Sequence, residues 1–117
     1  MEKNCIKIKD IVNMAITEEQ GLKLRKKIGE IIESQDEIVL DFEDIKLFTT
    51  MFFNASIGYY ILQYSPEKCK NIFNLKNISK VGEQTYKHSF ENAEEIFKDE
   101  NKLAIIRNVT EQVINES

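Results

Sequence analysis

Proline and glycine are scarce here, with one Pro and four Gly in 117 residues. So few chain breakers exclude long irregular loops. The glycines at 21, 29, 58 and 82 stand apart, so no loop can wrap a phosphate with successive backbone N–H groups. Histidine occurs once, as His88, and cysteine twice, as Cys5 and Cys69, in no metal or redox spacing. His88 lies two residues from Tyr86 and two from Phe90, which turns it away from their apolar stripe. No metal and no cofactor is expected, and the two thiols read as structural groups in a reducing cytoplasm.

Long apolar runs are missing too. The longest, around Met51–Leu62, is interrupted by Asn54, Ser56 and Gly58, well short of the ~18 apolar residues of a membrane span. Met1-Glu2-Lys3-Asn4 leads into no apolar secretory core. The expectation is a cytoplasmic protein with no membrane partner, in which the Asn-x-Ser/Thr triplets at Asn54, Asn77 and Asn108 are chance. Excess positive charge is absent as well, since 16 Lys and Arg stand against 20 Asp and Glu, a net charge of −4. Nucleic acid is therefore not expected as a partner. The local cluster Lys23, Arg25, Lys26 and Lys27 reads as the solvated side of a helix. The aromatics Phe52, Phe53, Tyr59, Tyr60 and Tyr64 have no Lys or Arg among them from Lys46 to Lys68, so they suit a core or a protein interface better than a base-stacking platform.

What is present is ordinary for a globular chain: 42% apolar and 31% charged residues. The length fits a single domain spanning residues 1–117, large enough to bury ~65% of the unfolded surface. Ile6 and Ile8 alternate with polar neighbours, which predicts a short half-buried strand. Residues Ile11–Ile16 read as a loop or a second short strand. Thr17-Glu18-Glu19-Gln20 is a capping box, and Leu24, Ile28, Ile31 and Ile32 keep one face of a helix from Glu18 to Glu33. Glu37–Phe42 carries Ile38, Val39 and Leu40 in succession, which predicts a central strand covered on both faces. Glu43-Asp44 makes a turn. Thr49 or Thr50 then caps a helix from Met51 to about Tyr64, apolar on nearly every side and ended by Ser65-Pro66. A third strand is expected near Ile72–Asn77 and a helix from Ser79, interrupted at Asp99-Glu100-Asn101. Residues 102–106 fit strand or helix. This β-α-β-α-β-α-α order implies an α/β fold with helices on a mostly parallel sheet.

The segment Ile38-Val39-Leu40-Asp41-Phe42-Glu43-Asp44-Ile45-Lys46-Leu47-Phe48-Thr49-Thr50-Met51-Phe52-Phe53-Asn54 resembles the signature of STAS-like domains, which are related to the STAS domains of anti-sigma factor antagonists. The resemblance is firmest over Ile38–Gly58 and reaches more weakly from the first strand to Ile78. It implies a STAS-like α/β fold, a small mixed or mostly parallel sheet of three to five strands with helices packed on it. It also implies a regulatory, non-enzymatic role in binding a protein, of which a GHKL-type ATPase or kinase or a transcription regulator is the implied class. The contact surface would be the junction 43–54, with Glu43, Asp44, Met51, Phe53 and Asn54 as partner-binding candidates and Asp41 as the structural residue of the turn. In antagonist-type relatives a Ser at the helix start is phosphorylated. That position falls on Met51, which cannot accept phosphate, so Thr50 and Thr49 become the phosphoacceptor candidates.

Two other readings stay open. One is a small ligand-binding or enzymatic α/β domain that uses Asp41, Glu43, Asp44 and Thr50 in a polar pocket at the end of the central strand. The other is a homodimer whose seam is the apolar helix 51–64.

Overall fold

The structure, a computed structural model, describes residues 4–116, with side chains described for residues 4–100. Three parallel strands form one sheet in the order β1 (Cys5–Lys7), β2 (Ile38–Asp41) and β3 (Phe73–Lys76). The register aligns Ile6 with Leu40 and Leu40 with Leu75, and Cys5 with Val39 and Val39 with Asn74. The helices are α1 (Glu18–Ile31), α2 (Thr50–Ala55), α3 (Ile57–Gln63), α4 (Pro66–Ile72) and α5 (Lys80–Glu116). This is the α/β architecture expected from the order of elements.

Adjacent parallel strands joined in sequence by crossovers of one hand carry their connecting helices on one face of the sheet. The core agrees. Ile38, Leu40 and Phe42 pack in one cluster with Leu24 and Ile28 of α1, Phe52 and Phe53 of α2, Ile57 and Ile61 of α3, Cys69 of α4 and Phe90 of α5. Val39 is buried but stands outside that cluster, on the other face, flanked by Cys5 and Asn74. The consecutive apolar run therefore does not mean a helix layer on both faces. The row Lys7, Asp41 and Lys76 completes this polar second face.

Several boundaries differ from the sequence pattern. After β1, Ile8 enters a single 3-10 turn, Ile8–Asp10, and is fully buried there. Residues 11–16 form a loop held by one parallel bridge, Ala15 to Phe48. The Ala15 N–H donates to the Leu47 carbonyl at 3.1 Å, and the Thr49 N–H to the Ala15 carbonyl at 2.9 Å.

The apolar helix expected from Met51 to Tyr64 is two helices, broken at Ser56 (φ −102°, ψ −91°). The Ser56 hydroxyl donates to the Phe52 carbonyl at 2.8 Å, and the Ser56 N–H reaches both Phe52 and Phe53 carbonyls. This local bonding competes with the regular ladder, a known way for serine to bend a helix. Gly58 makes the bend possible, since a Cβ there would lie 3.1 Å from the Phe53 oxygen. Ser65-Pro66 ends α3 and also starts α4, with the Ser65 hydroxyl accepting from the Lys68 N–H and Pro66 in the first turn, where its missing N–H costs nothing. Asp99-Glu100-Asn101 does not interrupt α5, which continues through 102–106 as helix. No Gly or Pro follows Gly82, and acidic or amide residues lower helix propensity without breaking a helix.

The candidate docking junction

Asp41 closes β2 with its carboxylate tied down. Its Oδ1 accepts from the Glu43 N–H at 3.0 Å and from the Asn77 side-chain amide at 2.9 Å. Both bonds favour the charged form. The Asn77 bond is the main cause holding Asp41 below the usual aspartate value, with smaller help from Glu43, Lys7 and Lys76 against a desolvation penalty. Phe42 then dives into the core, and Asp44 takes a left-handed turn (φ 65°), an angle Asp tolerates better than most side chains. Glu43 and Asp44 are exposed, and Asp44 stands 3.8 Å from the Lys9 ammonium. A shallow polar hollow of about 190 Å³ lies at this end of the sheet, between Lys7, Lys9 and Asp10 on one side and Asp41, Glu43 and Asp44 on the other. Among the described residues no cluster of His, Cys, Asp and Glu is placed to hold a metal ion.

Thr49, not Thr50, caps α2. Its hydroxyl donates to the Ile16 carbonyl and accepts from the Phe52 N–H at 3.3 Å, so it joins the helix start to the loop before α1. Thr50 is the first residue of α2 and is half-buried. It lines a second hollow, about 410 Å³, together with Glu18, Arg25, Met51, Asn54 and Ala55.

The five partner-binding candidates separate cleanly by exposure. Met51 is 56% exposed, and Glu43, Asp44 and Asn54 also face solvent. Phe53 does not: it has no exposed surface and sits among Phe42, Phe48, Phe52 and Tyr86 with ring centroids 5.3–6.1 Å away. A partner cannot touch it, so Phe53 belongs to the core and leaves the candidate surface. Its buried position follows from α2 packing on two helices at once, α1 and α5, which leaves only the Met51–Asn54 side outward.

Sequence reasoning missed α1's share of the surface. Glu18 and Arg25 are seven residues apart with Leu22 between them, on one helical stripe; Leu22 is 40% exposed. Gly21 brings this stripe to α2, since a Cβ there would sit 2.5 Å from the Phe52 oxygen. Arg25 is the half-buried member of the basic cluster. Its Nε donates to the Ala55 carbonyl at 2.8 Å, and its guanidinium lies 4.1 Å above the Tyr59 ring. Lys23, Lys26 and Lys27 are exposed. The available signal was a glycine inside an amphipathic helix, which marks a close approach. Asn54 has an inward bond as well: its Oδ1 accepts from the buried Ser89 hydroxyl of α5 at 2.5 Å.

The profile of one protein family matches residues 20–83, more than half of the chain and the whole of the junction. The chain belongs to the family of STAS-like domains of unknown function (DUF4325). The matched stretch of this STAS-like domain runs from the first turn of α1 into the start of α5, so it contains the β2 and α2 residues that line the two hollows and Arg25 of α1. No curated protein and no solved structure matches the chain. Among the described residues no helix is long and apolar enough to cross a membrane.

Proposed function

We infer that this STAS-like domain is a cytoplasmic, non-enzymatic regulatory module that binds another protein through the junction 43–54. The observation that carries this reading is the exposure of Leu47 (54%) and Met51 (56%) on a segment whose large apolar side chains Ile45, Phe52 and Phe53 are buried. Two large apolar side chains held in water on a rigid, capped helix start favour burial by a partner. Exposed Glu43, Asp44 and Asn54 supply a polar rim. The partner class is a GHKL-type ATPase or kinase, or a transcription regulator, as the likeness to anti-sigma factor antagonists implies.

Of the two phosphoacceptor candidates, Thr50 suits the role better. The Thr49 hydroxyl is engaged as donor and acceptor, while Thr50 lies on the wall of the open hollow. A phosphate on Thr50 would set nearly two negative charges beside Met51 and repel an acidic or apolar partner face.

The test is affinity purification from the native host with wild type, Leu47→Lys, Met51→Lys and Thr50→Glu, with circular dichroism confirming that each variant folds. The reading requires that a GHKL-type ATPase or a regulator come with wild type and that the three variants lose it. Equal recovery by all four would remove the junction as the docking surface.

The enzymatic alternative has the hollow at the strand ends in its favour, where open α/β sheets place ligands. Its residue set is divided, however. Asp41, Glu43 and Asp44 line that hollow and Thr50 lines the other, and the Asp41 carboxylate is already committed to Asn77 and Glu43.

A further inference from the structure

The bond between Ser89 of α5 and Asn54 of α2 sets the direction of the Asn54 amide. Ser89 is buried, and its hydroxyl stands 2.5 Å from Asn54 Oδ1. That separation fits an O–H···O bond and is too short for N–H···O, so the oxygen of the amide, not its nitrogen, faces Ser89. Among the described residues the Ser89 hydroxyl has no other acceptor, and a reversed amide would leave its proton unpaired in the core. Asn54 Nδ2 is thereby turned outward. No described residue accepts its hydrogens, and no side-chain polar atom without a partner is buried among the described residues, so Nδ2 reaches solvent. Asn54 is exposed and lines the hollow of about 410 Å³.

A second donor lines the same hollow, Arg25 of α1. Its Nε is engaged by the Ala55 carbonyl at 2.8 Å, and its guanidinium rests 4.1 Å from the centre of the Tyr59 ring. Those two contacts fix the guanidinium plane. Among the described residues no ion pair or hydrogen bond takes its two Nη groups. One held cation and one held neutral amide match an acceptor that carries a single negative charge on two oxygens. A carboxylate is such a group. Exposed Met51 beside them offers an apolar wall to the methylene stem of an Asp or Glu. Glu18 also lines the hollow, but it stands seven residues from Arg25, ~10 Å along α1. The acceptor site is therefore the Arg25–Asn54 end. Both donors are in place before a ligand arrives, which spares the cost of ordering them.

We propose that Ser89 is a positioning residue: it turns the Asn54 amide outward, and Asn54 Nδ2 together with the Arg25 guanidinium receives a carboxylate side chain of the protein that docks at the junction. The proposal rests on the docking reading above. It gives the partner a chemical mark, an exposed Asp or Glu beside an apolar patch that covers Met51.

Acetate, the carboxylate alone, is the probe. Nitrogen–proton correlation spectra of the full chain are recorded while acetate replaces chloride at constant ionic strength and neutral pH. The side-chain N–H signals of Asn54 and Arg25 should shift together and saturate. Asn54→Asp keeps the oxygen to which Ser89 donates and loses the outward donor, so it should weaken acetate binding about tenfold. Ser89→Ala should weaken it about threefold and release the Asn54 amide, read as a fall in its heteronuclear NOE, while the backbone signals of α2 stay in place. A Ser89 that merely joins α5 to α2 would leave the acetate affinity unmoved. Acetate and chloride acting alike, or an acetate affinity unchanged in both variants, overturns the proposal. In the second arm, the protein captured by wild type should be lost by Asn54→Asp. Capture by both alike overturns the proposal while the junction stands. No capture by wild type overturns the docking reading, and the partner's carboxylate with it.

Discussion

The side-chain amide of Asn77 donates to Oδ1 of Asp41 at 2.9 Å, tying the exit of β3 to the exit of β2. Asn77 does this from a left-handed backbone conformation (φ 55°), which asparagine adopts more readily than most residues. Asn77→Ala should therefore lose both a charge-assisted hydrogen bond and a comfortable turn residue, about 2–3 kcal/mol together by urea denaturation. Asn77→Gly keeps the turn and loses only the bond, so it should cost less. The pH dependence has a definite sign. Asp41 titrates below its ordinary 3.8 in the folded chain, so the bond's contribution is present above that pH and is lost as pH falls through the folded value. The gap between wild type and Asn77→Gly should be widest at neutral pH and narrow below pH 3.8.

The two adjacent threonines should respond very differently to truncation. Thr49 bonds at both ends of its hydroxyl, to Ile16 and to the Phe52 N–H. Thr49→Ala should cost about 1–2 kcal/mol in thermal unfolding, the loss of a helix cap plus a loop tether. Thr50→Ala, at the first helical position and half-buried, should stay within about 0.5 kcal/mol. Equal losses at the two sites would contradict the capping assignment.

Gly21→Ala should be destabilising although alanine is the better helix former. The added Cβ would meet the Phe52 carbonyl oxygen at 2.5 Å and the Ala55 Cβ at 2.8 Å, and the oxygen is backbone that cannot swing aside. Separating α1 from α2 should cost about 1–3 kcal/mol, more than the ~1 kcal/mol gained in propensity. A chemical-denaturation midpoint above wild type would show that α1 and α2 are not in close contact there.

The two thiols should be modified at different rates. Cys69 is fully buried, and burial pushes its thiol up to about 11, against a small opposing effect of the Ser65 backbone bond. Thiolate is the reactive form, so Cys69 should resist iodoacetamide at pH 8 in the native state. Cys5 is half-exposed at the edge of the sheet and should be alkylated first. Mass spectrometry of timed samples, native and in urea, separates the two.

What the sequence determined by itself lies where structure is local or strongly periodic. Thr17 and Gln20 cap α1 reciprocally, as their spacing requires. The apolar run Ile38–Leu40 is the central strand, and the Asp41–Asn54 segment carries enough pattern to assign the family. Tertiary packing decided the rest. Periodicity says that Phe53 and Met51 are both apolar, but only the positions of α1 and α5 send one inward and leave the other in water. The break at Ser56 depends on a side-chain bond to the Phe52 carbonyl that no propensity scale weighs. Val39 is buried, as a run of three apolar residues implies, yet it lies outside the core that Ile38 and Leu40 share with the helices, because neighbouring residues of a strand point to opposite faces. Arg25, one of four neighbouring basic residues in the sequence, is half-buried against the Ala55 carbonyl and the Tyr59 ring thirty or more residues away. A sequence fixes which side chains prefer to leave water; which of them succeed depends on surfaces contributed by distant parts of the chain.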